Sequence, residues 1–270
     1  MQKRASFKLI FTIFAILATV STEARAALQV FPTRVLLTDK QKTGSVTLKH
    51  EGDSPARYKI SAVFYRVEAD GKMVKVEDPG LAERSLVSSV RFSPRAVTLQ
   101  PGLQQVVRVL VRAPELAPGD YRAHIYFETA DDDIDVSKDS AAAASGAKLD
   151  LTLKARVAIA VPIVFRHGSA QPATVKLSEL KLTQEKPGAS FSVRVARGGD
   201  SFAYGTLKAW FGGEPVGHFK GISIYNAEQT FKFKLSATSP LKGGKLKLAF
   251  FDGEDESQER LLDSIEVPVP

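Results

Sequence analysis

The chain has 270 residues, 44% of them hydrophobic and 25% charged, with a formal net charge of +7, which is the balance of an ordinary globular protein of one or two domains. It contains no cysteine, so a disulfide framework, a thiolate zinc site and a thiol nucleophile are excluded. No stretch of lysine and arginine interleaved with aromatics follows the first residues, so nothing points to nucleic acid.

The N-terminus reads as a targeting segment. Lys3, Arg4 and Lys8 precede "LIFTIFAILATV", an apolar run of 12 residues that is short for a bilayer span. Ala24 and Ala26 then supply small residues at the positions a signal peptidase inspects. Residues 1–26 are therefore expected to be a secretory signal peptide cleaved after Ala26. Removing Lys3, Arg4, Lys8 and Arg25 together with Glu23 takes the formal charge from +7 to +4.

From Ala27 onward, period-two segments dominate. "ALQVFPTRVLL" (27–37) reads as an edge strand because it carries a proline. "GSVTLKH" (44–50) follows, and then "ARYKISAVFYRV" (56–67), which sets Tyr58, Ile60, Ala62 and Phe64 on one face. Asp70-Gly71 is a hairpin signal. "SLVSSVRFSPRAVTLQPG" (85–102) breaks at Pro94, and "LQQVVRVLVRA" (103–113) alternates again. In "GDYRAHIYFE" (119–128), Tyr121, Ala123, Ile125 and Phe127 share a face, with His124 opposite and read as a surface residue. The acidic "DDDID" (131–135) lacks the spaced glycine and glutamate of a calcium loop and reads as a solvated charge run.

"KLDLTLKARVAIAVPIVF" (148–165) is the longest alternation. Leu149, Leu151, Leu153, Ala155, Val157, Ile159 and Val161 fall on one face, over more length than a sandwich strand needs. "RHGSAQP" (166–172) reads as a connector, after which six shorter β segments follow. No segment after the signal gives a 3.6-residue stripe. The expectation is an all-β chain of two β-sandwich domains, residues 27–166 with seven or eight strands and residues 167–270.

Nothing in the sequence builds an enzyme. His50, His124, His167 and His218 are not spaced as metal ligands, and no HExxH, GxSxG or P-loop is present. "GGEPVG" (212–217) reads as a hairpin turn. No cofactor and no metal are expected.

Four pieces in order, "VFPTRVLL" (30–37), "LQPGLQQVVRVLV" (99–111), "PGDYRAHIYFE" (118–128) and "VAIAVPIVFRHG" (157–168), resemble the periplasmic pilus-assembly chaperones of the chaperone–usher pathway, in a divergent PapD-like branch. No one piece is specific; the ordered set is. The resemblance implies two immunoglobulin-like domains in an L or boomerang, a periplasmic location, a pilus or fimbrial subunit as partner and delivery to an outer-membrane usher. It also implies donor-strand complementation, in which the last strand of the first domain completes a subunit that lacks a strand. Leu149, Leu151, Leu153, Ala155 and Val157 would be the donor residues. Arg34 matches the family's cleft arginine, which binds the subunit's C-terminal carboxylate. The lysine that usually serves as second anchor is replaced by Pro162, leaving Lys154 and Arg156 as the nearest basic residues. An unpaired apolar strand also invites a second copy of the chain. The alternative reading is a secreted β-sandwich adhesive or structural component of the fibre itself.

Overall fold

The computed structural model describes residues 28–80, 83–112, 116–130, 158–185, 188–236, 240–253 and 259–270. Regular structure among them is β throughout. The first part of the chain forms β1 (Leu28–Phe31), β2 (Val35–Thr38), β3 (Thr43–His50), β4 (Ala56–Val67), β5 (Met73–Val76), β6 (Val90–Ser93), β7 (Ala96–Leu99), β8 (Gln104–Val111), β9 (Gly119–Thr129) and β10 (Ala158–His167). One sheet has the order β1-β3-β8-β6; the other runs β2-β10-β9-β4-β5, with β7 also paired to β4. Alternation sends one side of each strand inward. Leu28, Val46, Leu48, Val107 and Val109 from the first sheet meet Leu37, Ile125, Phe127, Ile163 and Phe165 from the second in one core.

The structure corrects the expected strand count. Residues 27–37 are not one edge strand: β1 pairs with β3 in the first sheet, and β2 lies parallel to β10 in the second. The chain crosses between the sheets at Pro32, whose missing N–H cannot continue a ladder. Pro94 does the same between β6, paired with β8, and β7, paired with β4. Each of these segments serves both sheets, so the described residues of this sandwich form ten strands where seven or eight were expected. Both prolines follow cis peptide bonds.

Phe64 is a second correction. Tyr58, Ile60 and Ala62 join the core as their spacing requires, but Phe64 is buried outside it. β4 pairs with β9 only as far as Val63 and takes β5 as partner from Phe64 onward. The change of partner turns Phe64 out of the core, and the Arg122 guanidinium lies 4.7 Å from its ring centroid.

The second part of the chain forms β11 (Thr174–Gln184), β12 (Ala189–Gly198), β13 (Ala203–Phe211), β14 (Glu214–Ile224), β15 (Glu228–Lys234), β16 (Gly244–Asp252) and β17 (Arg260–Val269). They build sheets of order β11-β12-β15 and β14-β13-β16-β17 around Leu177, Phe191, Val193, Leu207, Leu246 and Phe250. Gly212 and Gly213 take positive φ of 58° and 93° in the tight β13–β14 turn, as the "GGEPVG" composition requires. At Gly205 a Cβ would stand 1.8 Å from the Phe251 carbonyl oxygen, so the β13–β16 approach depends on glycine there.

The two cores share no residue, and polar contacts join the sandwiches. Asp120 is fully buried: its carboxylate accepts two hydrogen bonds from Arg166, Nε at 2.8 Å and Nη2 at 2.9 Å, and one from the Phe202 backbone N–H at 2.8 Å. The β4–β5 hairpin adds Asn226 Nδ2 donating to the Val67 carbonyl at 2.6 Å and the Thr230 N–H donating to the Ala69 carbonyl at 3.1 Å. The connector is pinned as well. Asp39 takes a hydrogen bond from the Gly168 N–H at 2.7 Å and shares one with His167 Nδ1 at 2.8 Å; both hold its carboxyl below the usual carboxylate range.

Candidate functional site

The site begins with an asymmetry in β10. Along its whole length, from Ala158 to His167, the strand is paired on one side with β9. On the other side, β2 covers only Ile163 to Arg166. Among the described residues no strand pairs that edge of Ala158, Ile159, Ala160, Val161 and Pro162. Backbone groups on such an edge are a template for another chain. The inward face is already committed: Val161, Ile163 and Phe165 lie in the core and Ile159 packs against it. The open half therefore offers backbone pairing from a strand whose own sheet holds it in place.

The outer face beside this edge meets the second sandwich. Arg34 is not in an edge strand, as the sequence suggested; it ends the crossover just before β2. Val35, the next residue, faces Ile163 in the parallel ladder, and its burial turns Arg34 to the other side. The Arg34 guanidinium lies 4.1 Å from the centroid of the Tyr204 ring, at the start of β13. Pro162, at the place expected for a second anchor, faces His124 across the β9 ladder, and His124 faces Val63 of β4. Two residues along β9 from His124, Arg122 is only 4% exposed. Its Nη2 donates to the Tyr65 carbonyl at 2.7 Å, and its guanidinium lies 4.2 Å from the Tyr225 ring centroid. Burial pushes the Arg122 guanidinium down to about 10, so it remains a buried cation at neutral pH.

His124 corrects the surface assignment made from its alternation. It does point away from the core set, but it is only 3% exposed because this outer face is covered: the Tyr65 ring meets the imidazole edge-on at 5.2 Å. Burial, reinforced by the Arg122 charge, pushes the imidazole down to about 4. In the unfolded chain it takes a proton near pH 6.5. Between those values the unfolded state binds more protons, so the stability is complete above about pH 6.5 and is lost as pH falls toward 4. The full loss is about 3 kcal/mol. Urea unfolding at pH 7 and pH 5 should show a smaller pH effect in His124→Leu than in the parent chain. Equal pH effects in the two would remove His124 as the cause.

The residues expected to act as donor, Leu149, Leu151, Leu153, Ala155 and Val157, lie outside the described residues, as do Lys154 and Arg156. Arg34 and Pro162 are described, and each directly precedes a member of the β2–β10 ladder's first pair, Val35 and Ile163. Arg122 and His124 were not expected at the site: alternation marks them as facing away from the core, but only the second sandwich and Tyr65 decide that they are covered. Among the described residues no three His, Asp or Glu side chains come together as metal ligands.

No protein-family model matches the chain, and no curated protein matches it. Solved structures do. The CsuC–CsuE chaperone–tip adhesion subunit pre-assembly complex, from the archaic chaperone–usher Csu pili of Acinetobacter baumannii, contains a chain that aligns over 91% of this one and 100% of its own, at 12% identity and a TM-score of 0.51. This chain has the fold of a chaperone–usher pilus chaperone. Matches with lower scores include the Salmonella enterica SafA pilin in complex with the SafB chaperone (12% identity, 91% and 97% coverage, TM-score 0.47) and the E. coli chaperone DraB (11% identity, 90% and 96% coverage, TM-score 0.47). Within this pilus-chaperone fold, the half-paired β10 is the last strand of the first sandwich and Arg34 sits where that sandwich meets the second.

Proposed function

We propose that the protein is a periplasmic chaperone that holds pilus or fimbrial subunits by donor-strand complementation and passes them to an outer-membrane usher. The observation that carries this reading is the open edge of β10 between Ala158 and Pro162, which the sequence continues directly upstream with Leu149, Leu151, Leu153, Ala155 and Val157 at alternate positions. A subunit lacking a strand exposes an apolar groove flanked by unpaired edges. The five alternating residues would fill that groove while the backbone ladder runs on from β10. Residues 1–26 would direct the chain to the periplasm. When no subunit is bound, a second copy of the chain would cover the same edge.

The chain should be recovered from the periplasm with a small β-rich subunit in one-to-one ratio. Recovery instead as a polymer of the chain itself would replace this reading with that of a fibre component.

Arg34 is proposed to hold the subunit's C-terminal carboxylate, since a guanidinium presents a planar fork to a carboxylate and Arg34 stands at the junction of the sandwiches over Tyr204. Lys154 or Arg156 would assist, in place of the lysine that Pro162 replaces. Arg34→Ala should weaken subunit binding by roughly 2–5 kcal/mol and cost the fold less than that. Competition with the parent chain for one subunit measures the first quantity and urea unfolding the second. Combining Arg34→Ala with Arg156→Ala tests sharing: losses that fail to add place both residues at one carboxylate. Unchanged capture by Arg34→Ala would show that the subunit is anchored elsewhere.

A further inference from the structure

A cavity of about 440 Å³ opens at the junction of the two sandwiches, walled by Phe64, Phe202 and Tyr225 and lined by Arg66, Arg84, Arg122, Arg197 and Glu83. Among the described residues Glu83 is the only carboxylate in that lining, and it is engaged: Arg66 Nε donates to it at 2.6 Å. The other three guanidiniums have neutral partners. Arg84 Nη1 donates to the Pro118 carbonyl at 3.1 Å, and Arg122 Nη2 to the Tyr65 carbonyl. Arg197 Nη1 donates to the carbonyls of Gly199 at 2.9 Å and Ser201 at 2.8 Å, and its Nη2 to that of Tyr225 at 3.3 Å.

Among the described residues no carboxylate hydrogen-bonds to these three cations, although the charges of Glu83 on Arg122 and of Asp120 and Asp200 on Arg197 partly offset them. Buried charges are ordinarily paired, because the desolvation cost is otherwise uncompensated. Arg122 is 4% exposed, and its Nε, like that of Arg197, is buried with no hydrogen-bond partner. Both guanidiniums lie against the same ring, Phe202, at 5.9 and 5.6 Å from its centroid. Arg84 is seated by the backbone: a Cβ at Gly119 would stand 1.9 Å from its Nη1. The side chains are thus built in position, two from the first sandwich and one from the second, with donor capacity left over.

We propose that this cavity binds a small, multiply charged inorganic oxyanion of the phosphate or sulfate class. Three guanidiniums around one pocket suit an ion with several acceptor oxygens. Because Arg84 and Arg122 belong to one sandwich and Arg197 to the other, the bound ion fastens the two together. The cavity lining does not include Arg34, which meets the junction at Tyr204 instead.

The test is thermal unfolding of the mature chain titrated with inorganic phosphate, with sulfate, and with acetate as a monovalent carboxylate, all at constant ionic strength. Phosphate and sulfate should raise Tm with the logarithm of concentration above Kd, by about 5 °C at a hundredfold excess, and acetate should not. Arg84→Gln, at a position that is only partly buried, should weaken the effect at least tenfold. In the parent chain, the Arg122 Nε–H resonance should shift with the same Kd. Excluded salts stabilise folded proteins generally and in proportion to their concentration. A rise that is linear, that Arg84→Gln retains in full, or that acetate reproduces would overturn the proposal.

Discussion

Replacing Leu151 and Leu153 together by threonine should abolish stable subunit capture and leave the Tm of the free chain within about 2 °C, the scatter of ordinary surface changes. Each leucine buried in a subunit groove contributes roughly 1.5–3 kcal/mol before ordering costs. Losing both therefore lowers affinity by two orders of magnitude or more. Threonine keeps the β preference, so backbone pairing with the subunit survives while the groove-filling side chains do not. Residues that filled the chain's own core would behave differently: Tm would collapse, and capture would fall only as the folded fraction fell. Thermal unfolding and co-purification of the same variant separate the two outcomes.

Asp120→Ala and Arg166→Ala should be the most destabilising changes at the junction. Asp120 is 0% exposed, and its carboxylate ties Arg166 to the Phe202 backbone of the other sandwich. Removing one partner of a buried pair costs about 3–5 kcal/mol. The two variants are not equivalent. Asp120→Ala leaves an arginine that is 36% exposed and can regain water, whereas Arg166→Ala leaves a fully buried carboxylate with a single donor, the Phe202 N–H. Urea unfolding should therefore show Arg166→Ala as the costlier change, and the double variant should cost less than the sum of the two. Additive losses, or a milder Arg166→Ala, would mean that the pair does not hold the junction.

Much of the fold was legible because alternation is a local property. Tyr121, Ala123, Ile125 and Phe127 are buried as their period-two spacing requires, and the Asp70-Gly71 and Gly212-Gly213 turns fall where composition puts them. What alternation does not carry is the identity of the partner on either side of a strand. For this reason Pro32 was read as part of one edge strand and Pro94 as a simple break, and Phe64 was placed on one face with Tyr58, Ile60 and Ala62 although β4 has changed partner by that point. The same limit applies to the site. Arg34 was found through its sequence setting, "PTRVLL", but its location at the crossover opposite Tyr204 depends on the second sandwich. Arg122 and His124 occupy polar-face positions of β9 that look solvent-facing in sequence. Only contacts from Tyr65, Phe202 and Tyr225, distant in the chain, bury them.

Amide hydrogen exchange with and without a bound subunit addresses the donor edge most directly. In the free chain the N–H groups of Ala158, Ile159, Ala160 and Val161 that point away from β9 should exchange faster than those of Ile163, Val164 and Phe165, which β2 covers. Binding a subunit should slow exchange continuously from Leu149 through Val161, with alternate amides protected as in a strand ladder. Unchanged exchange across this stretch in a stable one-to-one complex would show that the subunit is held at another surface, and donor-strand complementation by this chain would be excluded.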